Sequence, residues 1–441
     1  MENKDHVAIE LEDMVKNVQP LFQRCTIYKV PDEIRLSNED AYTPMAVSIG
    51  PLHHRKNPKL ASMEPQKMIY FRHFIESRSK VRLTDLVSLV RELEPQIRAC
   101  YSEEIPFTVD EFVKIILVDC CFVIEFFIRQ GEFLVPGTTR LTTTIEDDLI
   151  FSKPWLRGRI TYDLLLLENQ LPFFVFHKLY TLVRGSNSSS VITRDYEFHP
   201  FFMLISFHLI HFIDPNIHEL HSSSWSSSSS PPPHEIVLHF TDMMRFLYLP
   251  QSHSHRQPSR KSRELFVHGA SELDEVGIKF ESRYRSKSVL ALEYEYGVLA
   301  MPRIWLSEDW SEIVLRNILA LEHCHYPTQH YVFDYVDFIS QLIDKDKDVD
   351  ILVENGIINH LLGDNKKVAE LFRGLKRNIM VSNCNADYLR ISKDLDAYYE
   401  DPWHKRLATL KRWKATATIG GIVLLLLTVI QTVFSILQVV L

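Results

Sequence analysis

The chain has 441 residues, of which 46% are hydrophobic and 24% charged, and a formal net charge of −8. That balance supplies enough apolar surface to offset the entropy of ordering the chain, which excludes bulk disorder, and a mild acidic charge without a basic face argues against nucleic acid as a partner. The six cysteines, at positions 25, 100, 120, 121, 324 and 384, are expected to stay reduced, because Cys120 and Cys121 are neighbours in an apolar run where their side chains diverge and act as small hydrophobes.

Residues 1–20 carry charges throughout and contain no apolar run of secretory-signal length, so they read as a tail. An N-terminal half follows at 21–183. His53 and His54 stand after Gly50-Pro51 in a turn, where turn packing is the expected role. Thr108 and Glu111 have the spacing of a capping box, the apolar run Val109 to Ile128 follows, and Gly131 stands where a C-terminal cap belongs. This helix reads as soluble core and not as a membrane span, since Asp119 near its centre alone would cost about 2.5–3.5 kcal/mol on the insertion scale, with Lys114 and Glu125 adding to it. The run from Thr161 to Val183 is apolar nearly all round and is interrupted by Pro172, which predicts a kinked or split core helix. Glu168 and Asn169, just before that proline, are expected to pair with backbone groups that it frees.

Residues 184–263 hold two low-complexity stretches, at 185–190 and 222–233, and a basic polar stretch at 251–263; all read as solvated loops. Asn187 begins a glycosylation sequon that matters only if the domain faces a lumen. His234, Glu235 and His239 miss zinc-helix spacing by one residue.

In the C-terminal half, 264–400, alternation around Glu293, Glu295 and Gly297 predicts a β hairpin within 288–306. Helices are expected at 309–325 and 331–343. The cluster His323, Cys324, His325 and His330 lacks a CxxC partner and reads as helix-end and loop residues. Asp344, Asp346, Asp348 and Asp350 imitate a calcium loop, but Val349 stands where glycine is needed and Asn355 where the bidentate glutamate belongs, so a solvated acidic linker is expected. Asp364 opens a patterned helix through Val368, Leu371, Leu375 and Ile379.

Residues 401–414 form a basic juxtamembrane segment with Lys405, Arg406, Lys411, Arg412 and Lys414, and residues 415–441 contain no charge. Ile419, Leu424, Leu427, Val433 and Leu441 belong to a span of 23 residues, which as a helix covers about 35 Å against a hydrocarbon core of about 30 Å. The cations on one side predict a tail anchor with residues 1–414 in the cytosol, an exported domain being the alternative. Gly421, Thr428, Gln431, Ser435 and Gln438 fall on one stripe of this helix, a geometry for association with a second helix of the same or another protein; alternatively the hydroxyls bond to their own helix and the glutamines reach the interface.

No phosphate-binding glycine loop, GxSxG elbow or HExxH helix occurs. No catalytic residue, metal ligand or cofactor is assigned on these grounds. The run Tyr42-Thr43-Pro44, Val47 to Pro51 and His53-His54, the run Tyr162 to Tyr180, and the segments ASELDEVGIKF, NILALEHC, ENGIINHLLGD and VAELF resemble the signatures of a plant family called domain of unknown function 247, or uncharacterised protein family 0481. The resemblance runs from about residue 25 to the C-terminus and implies a C-terminally anchored plant membrane protein with no established enzymatic activity. Some members are tied to reproductive recognition. The fold expected is mainly α, one large helical domain with a small hairpin and a C-terminal membrane helix. Protein recognition at a bilayer is the leading function. The rival is an enzyme whose active site gathers Asp163, Glu168, Asn169 and the His53 turn in a concave, partly solvated pocket.

Overall fold

The structure, a computed structural model, describes residues 25–134, 148–184, 237–249, 258–259, 267–283, 288–381, 384–406 and 424–432, with single positions at Val7, Val15, Ile205 and Leu410. In chain order the main elements are helices α1 (Glu64–His73), α2 (Leu83–Arg98), α3 (Val109–Leu134), α4 (Pro154–Asp163), α5 (Phe173–Arg184) and α6 (Phe240–Tyr248), strand β1 (Pro258–Ser259), helix α7 (Ala270–Glu275), strands β2 (Lys279–Arg283), β3 (Glu293–Glu295), β4 (Val298–Pro302) and β5 (Ile304–Leu306), helices α8 (Glu308–His325), α9 (Tyr331–Leu342) and α10 (Asp346–Glu354), strand β6 (Ile358–His360), helix α11 (Asn365–Leu375), strand β7 (Cys384–Asn385) and helix α12 (Ala386–Glu400). The fold is mainly helical, as expected, and among the described residues it holds three small sheets where a hairpin alone was expected. Two compact units emerge, one comprising Met1–Leu247 with Glu312–Pro327, the other Tyr248–Ser311 with Thr328–Leu441.

The first unit is built around α3. Thr108 caps it through the expected reciprocal pair, its hydroxyl accepting from the Glu111 N–H at 3.3 Å while the Thr108 N–H donates to the Glu111 carboxylate at 3.1 Å. The helix runs past Gly131 to Leu134, so that glycine is an interior residue and not the cap. Phe112, Ile116, Cys120, Cys121, Phe122, Ile124, Phe126 and Phe127 are fully buried. All six cysteines are free. Aromatic rings cluster around α3 in several geometries, Phe126 and Phe127 edge to face at 73°, Phe122 and Phe126 stacked at 25° and Phe127 and Phe240 stacked at 27°.

Of the two outcomes expected at Pro172, a kink or a split, the structure shows the split. α4 ends at Asp163, a non-helical stretch covers 164–172, and α5 begins at Phe173 directly after the proline. Proline suits the start of a helix, where its missing N–H costs nothing.

In the second unit the hairpin is present. β3 and β4 pair antiparallel across Tyr296 and Gly297, which both have positive φ, 51° and 78°, as a tight primed turn requires. β4 also pairs parallel with β2, and β5 pairs parallel with β6. Asp364 caps α11 by accepting from the Lys366 N–H at 3.0 Å. That helix stops at Leu375, short of the Ile379 expected, and Asn378 beyond it adopts φ 63°, the left-handed conformation of helix ends. The acidic run 344–350 is not a solvated linker. It opens α10, and Asp348 is fully buried, accepting from the N–H groups of Ser271 at 2.7 Å, Lys345 at 2.7 Å and Asp344 at 3.0 Å.

At the C-terminal end, Leu424–Thr432 is helical and every one of its residues is exposed. Among the described residues no helix is long and apolar enough to cross a membrane. Ile419, Gly421, Val433, Ser435, Gln438 and Leu441, the cations Lys411, Arg412 and Lys414, the Asn187 sequon and both low-complexity stretches lie outside the described residues.

Candidate functional site

The two strongest sequence signatures meet in the first unit. The segment from Val30 to His53 has little regular structure, so its backbone N–H groups need partners from elsewhere. The end of α4 and the stretch after it provide them. Asp163 accepts three successive N–H groups, from Met45 at 3.0 Å, Ala46 at 2.6 Å and Val47 at 2.8 Å. Glu168 accepts from the Val30 N–H at 2.7 Å and from the Arg35 guanidinium, and its second oxygen lies 3.0 Å from Nε2 of His53. Asn169 accepts from the Ile49 N–H at 2.7 Å and donates to the carbonyls of Val47 at 3.1 Å and Asp163 at 2.8 Å.

Neighbouring groups that motif reading missed complete this clasp. Gln170 donates to the carbonyls of Leu164 at 2.6 Å and Leu166 at 2.7 Å, the latter also accepting the Asn169 N–H at 2.9 Å, and accepts from the Phe240 N–H at 2.9 Å. Asp119 of α3 accepts from the Gly50 N–H at 2.8 Å and from Lys67 at 2.8 Å; Lys67 is fully buried and also meets Glu64 at 2.8 Å. Asn317 of α8 accepts from the Leu167 N–H at 2.9 Å and donates to the Ala41 carbonyl at 2.8 Å. The signal in sequence for Asp119 was its charge inside an apolar run; Gln170 and Asn317 carried none.

Electrostatics follow from burial and donors. Burial pushes the Asp163 carboxyl up to about 6, against the pull of its three backbone donors. For Glu168, burial again opposes the charged form, but His53, Arg35 and the Val30 N–H outweigh it and hold the carboxyl below its ordinary value. Burial also works against the Lys67 ammonium, yet Asp119 and Glu64 raise its pKa, so it stays charged. His54 is packed edge to face on Phe107 and burial lowers its pKa.

Asp163, Glu168, Asn169 and His53 therefore come together, as the enzymatic reading requires, but the first three lie inside the core and only His53, 12% exposed on its side chain, reaches its edge. Asp163 is 2% exposed, Glu168 5% and Asn169 0%. Their acceptors are occupied by backbone and cationic donors, so the constellation offers no solvated carboxylate pair to a substrate. Glu168 and Asn169 serve the backbone, as expected, chiefly that of residues 30–49, with Asn169 also bonding the Asp163 carbonyl at the end of α4.

Of the discounted histidines, His239 is buried, with Nε2 2.9 Å from the Thr26 carbonyl, and burial lowers its pKa to about 4. His325 places Nδ1 3.0 Å from the Tyr28 hydroxyl. Lys405 and Arg406 are exposed.

The family DUF247, described as plant protein of unknown function, matches residues 27–427, a range that takes in the clasp and both halves of the chain. The chain belongs to this family. It is 28% identical to a UPF0481 protein of Arabidopsis thaliana over 94% of its own length and 87% of that protein's, and 24% identical to a putative UPF0481 protein of the same plant over 92% and 89%. No solved structure matches. In this DUF247 chain the 42–54 and 162–180 segments meet in one hydrogen-bond network, which Val30, Arg35, Asp119, Asn317 and Phe240 extend.

Proposed function

We propose that this protein is a membrane-held recognition component, a helical domain that binds other proteins and is fixed at a bilayer by residues 415–441. The observation that carries the reading is the chain's C-terminal segment, 27 residues without a charge behind five cations. Its described portion agrees in kind, since the helix Leu424–Thr432 presents leucine, valine and isoleucine on all sides, from 68% exposed at Leu424 to 51% at Ile430. A helix so rich in exposed apolar side chains, with only Thr428, Gln431 and Thr432 polar, is stable where lipid or protein covers it. The cationic flank favours a cytosolic domain. Recognition is favoured over catalysis because the carboxylates best placed for chemistry are engaged in holding residues 30–50. A reproductive setting is the biological context that the family resemblance suggests.

Two experiments test this reading. Protease added to sealed microsomes is expected to digest the large domain without detergent; protection until detergent is added, or a glycan on Asn187, places the domain on the other side. Proximity labelling from a ligase fused to the N-terminus is expected to enrich a reproducible set of proteins over the isolated 401–441 segment. Identical labelling from both would contradict a recognition domain.

A further inference from the structure

We propose that His268, Asp396 and Glu400, in the second unit, form a binding site for a divalent transition-metal ion, for which zinc is the best match. One ligand atom from each of the three lies within 4.8 Å of the others. Asp396 and Glu400 are four residues apart on α12 and so share one face, while His268 stands just before α7. The mix of one imidazole and two carboxylates is a ligand set that zinc accepts, with a fourth position left for water or for a group from a partner.

Two features separate this from an ordinary ion-pair cluster. The first is spacing. Nε2 of His268 lies 3.4 Å from Asp396 and Nδ1 lies 3.3 Å from Glu272. A charged imidazolium draws carboxylates in to about 2.7–2.9 Å. Zinc bonds of about 2.0–2.1 Å instead set neighbouring ligand atoms of a tetrahedron about 3.3–3.4 Å apart, which is the His268–Asp396 separation. The second is orientation. The His268 ring stacks on Tyr399 with centroids 3.6 Å apart and planes 23° apart, so it is held with Nε2 towards α12. Glu272 lies behind Nδ1, the outer carboxylate that commonly fixes a metal-binding histidine. Two cations lie nearby, and an ion would compete with one of them for Glu400: Lys405 lies 3.8 Å from Oε2 of Glu400 and over the Tyr399 ring, and Lys345 lies 3.6 Å from Oε1 of Glu272. An ion here would tie the end of α12, which leads to the basic segment, to the start of α7.

The test uses full-length protein in detergent, purified without a histidine tag and stripped with chelator. Zinc chloride is titrated by calorimetry, and cobalt(II) is titrated by visible absorption, which reports tetrahedral coordination. The wild type is expected to bind one more equivalent than His268→Ala, with tetrahedral cobalt bands absent from the variant. Glu400→Gln, at a position 66% exposed on its side chain, is expected to weaken that equivalent at least tenfold, and Glu272→Gln about tenfold. Equal stoichiometry and affinity in the wild type and Glu400→Gln overturn the site, as does a cobalt spectrum unchanged by either first-named substitution. Should His268→Ala melt at a lower temperature, Glu400→Gln decides the question in a folded chain.

Discussion

At Gly50, φ is +75°, and an added Cβ would stand 2.6 Å from the Gln170 carbonyl oxygen. Gly363 has nearly the same φ, +77°, with nothing within 4 Å of that position. The two therefore separate backbone strain from close packing. Gly363→Ala is expected to cost about 1–2 kcal/mol, the left-handed penalty alone, and Gly50→Ala about 3 kcal/mol or more, both read from chemical denaturation. Equal losses would mean that the clasp yields. Asp163 makes a pH prediction. Its carboxyl is raised from 3.8 to about 6 in the folded chain, so between those values the folded state holds more protons than the unfolded one, and stability falls as pH rises from about 4 to 6. Asp163→Asn keeps one acceptor oxygen but cannot titrate, so the decline over that window is expected to be shallower by up to one proton; an unchanged slope would show that Asp163 ionises as freely folded as unfolded. The structural use of Glu168 and Asn169 was legible in their apolar surroundings. Their partners were not, because the Val30 and Ile49 N–H groups are 138 and 120 residues away, and no local pattern encodes such a pairing.

Helical period made α3, α8, α9 and α11 readable, and turn chemistry made the β3–β4 hairpin readable. Pairings over long sequence separations were hidden, as with the three-residue strands β5 and β6, which match Ile304 to Ile358. A strand that short carries too little alternation to announce itself. The break between α4 and α5 was half legible: Pro172 marked the interruption, but the unwound stretch is held because Asn169, Gln170 and Asn317 bond the Asp163, Leu164 and Leu166 carbonyls and the Leu167 N–H, groups that a continuous helix would have kept for itself. At the hairpin tip, Tyr296 holds φ 51° with its side chain wholly exposed. Asparagine tolerates that conformation far better, so Tyr296→Asn is expected to raise stability by about 0.5–1 kcal/mol, measured as an upward shift of the melting temperature. A fall would indicate that the tyrosine has a contact worth more than the strain.

For the molecule as a whole, the membrane reading governs what else follows. Within the proposed span, Thr428 already donates to the Leu424 carbonyl at 2.8 Å, so its hydroxyl is satisfied inside its own helix, and any helix association through the polar stripe falls to Gln431 and the positions around it. Gln431→Leu is expected to weaken self-association of the 415–441 segment in a membrane reporter by about 0.6 kcal/mol, roughly threefold; an unaltered signal leaves a helix from a different protein as the partner. The attachment itself is tested most directly by alkaline carbonate extraction of membranes from cells expressing either the full chain or a chain ending at Lys414. The full chain is expected to stay in the pellet until detergent is added, while the shortened chain appears in the supernatant. Release of the full chain by carbonate alone, or retention of the shortened one, would contradict an anchor at residues 415–441.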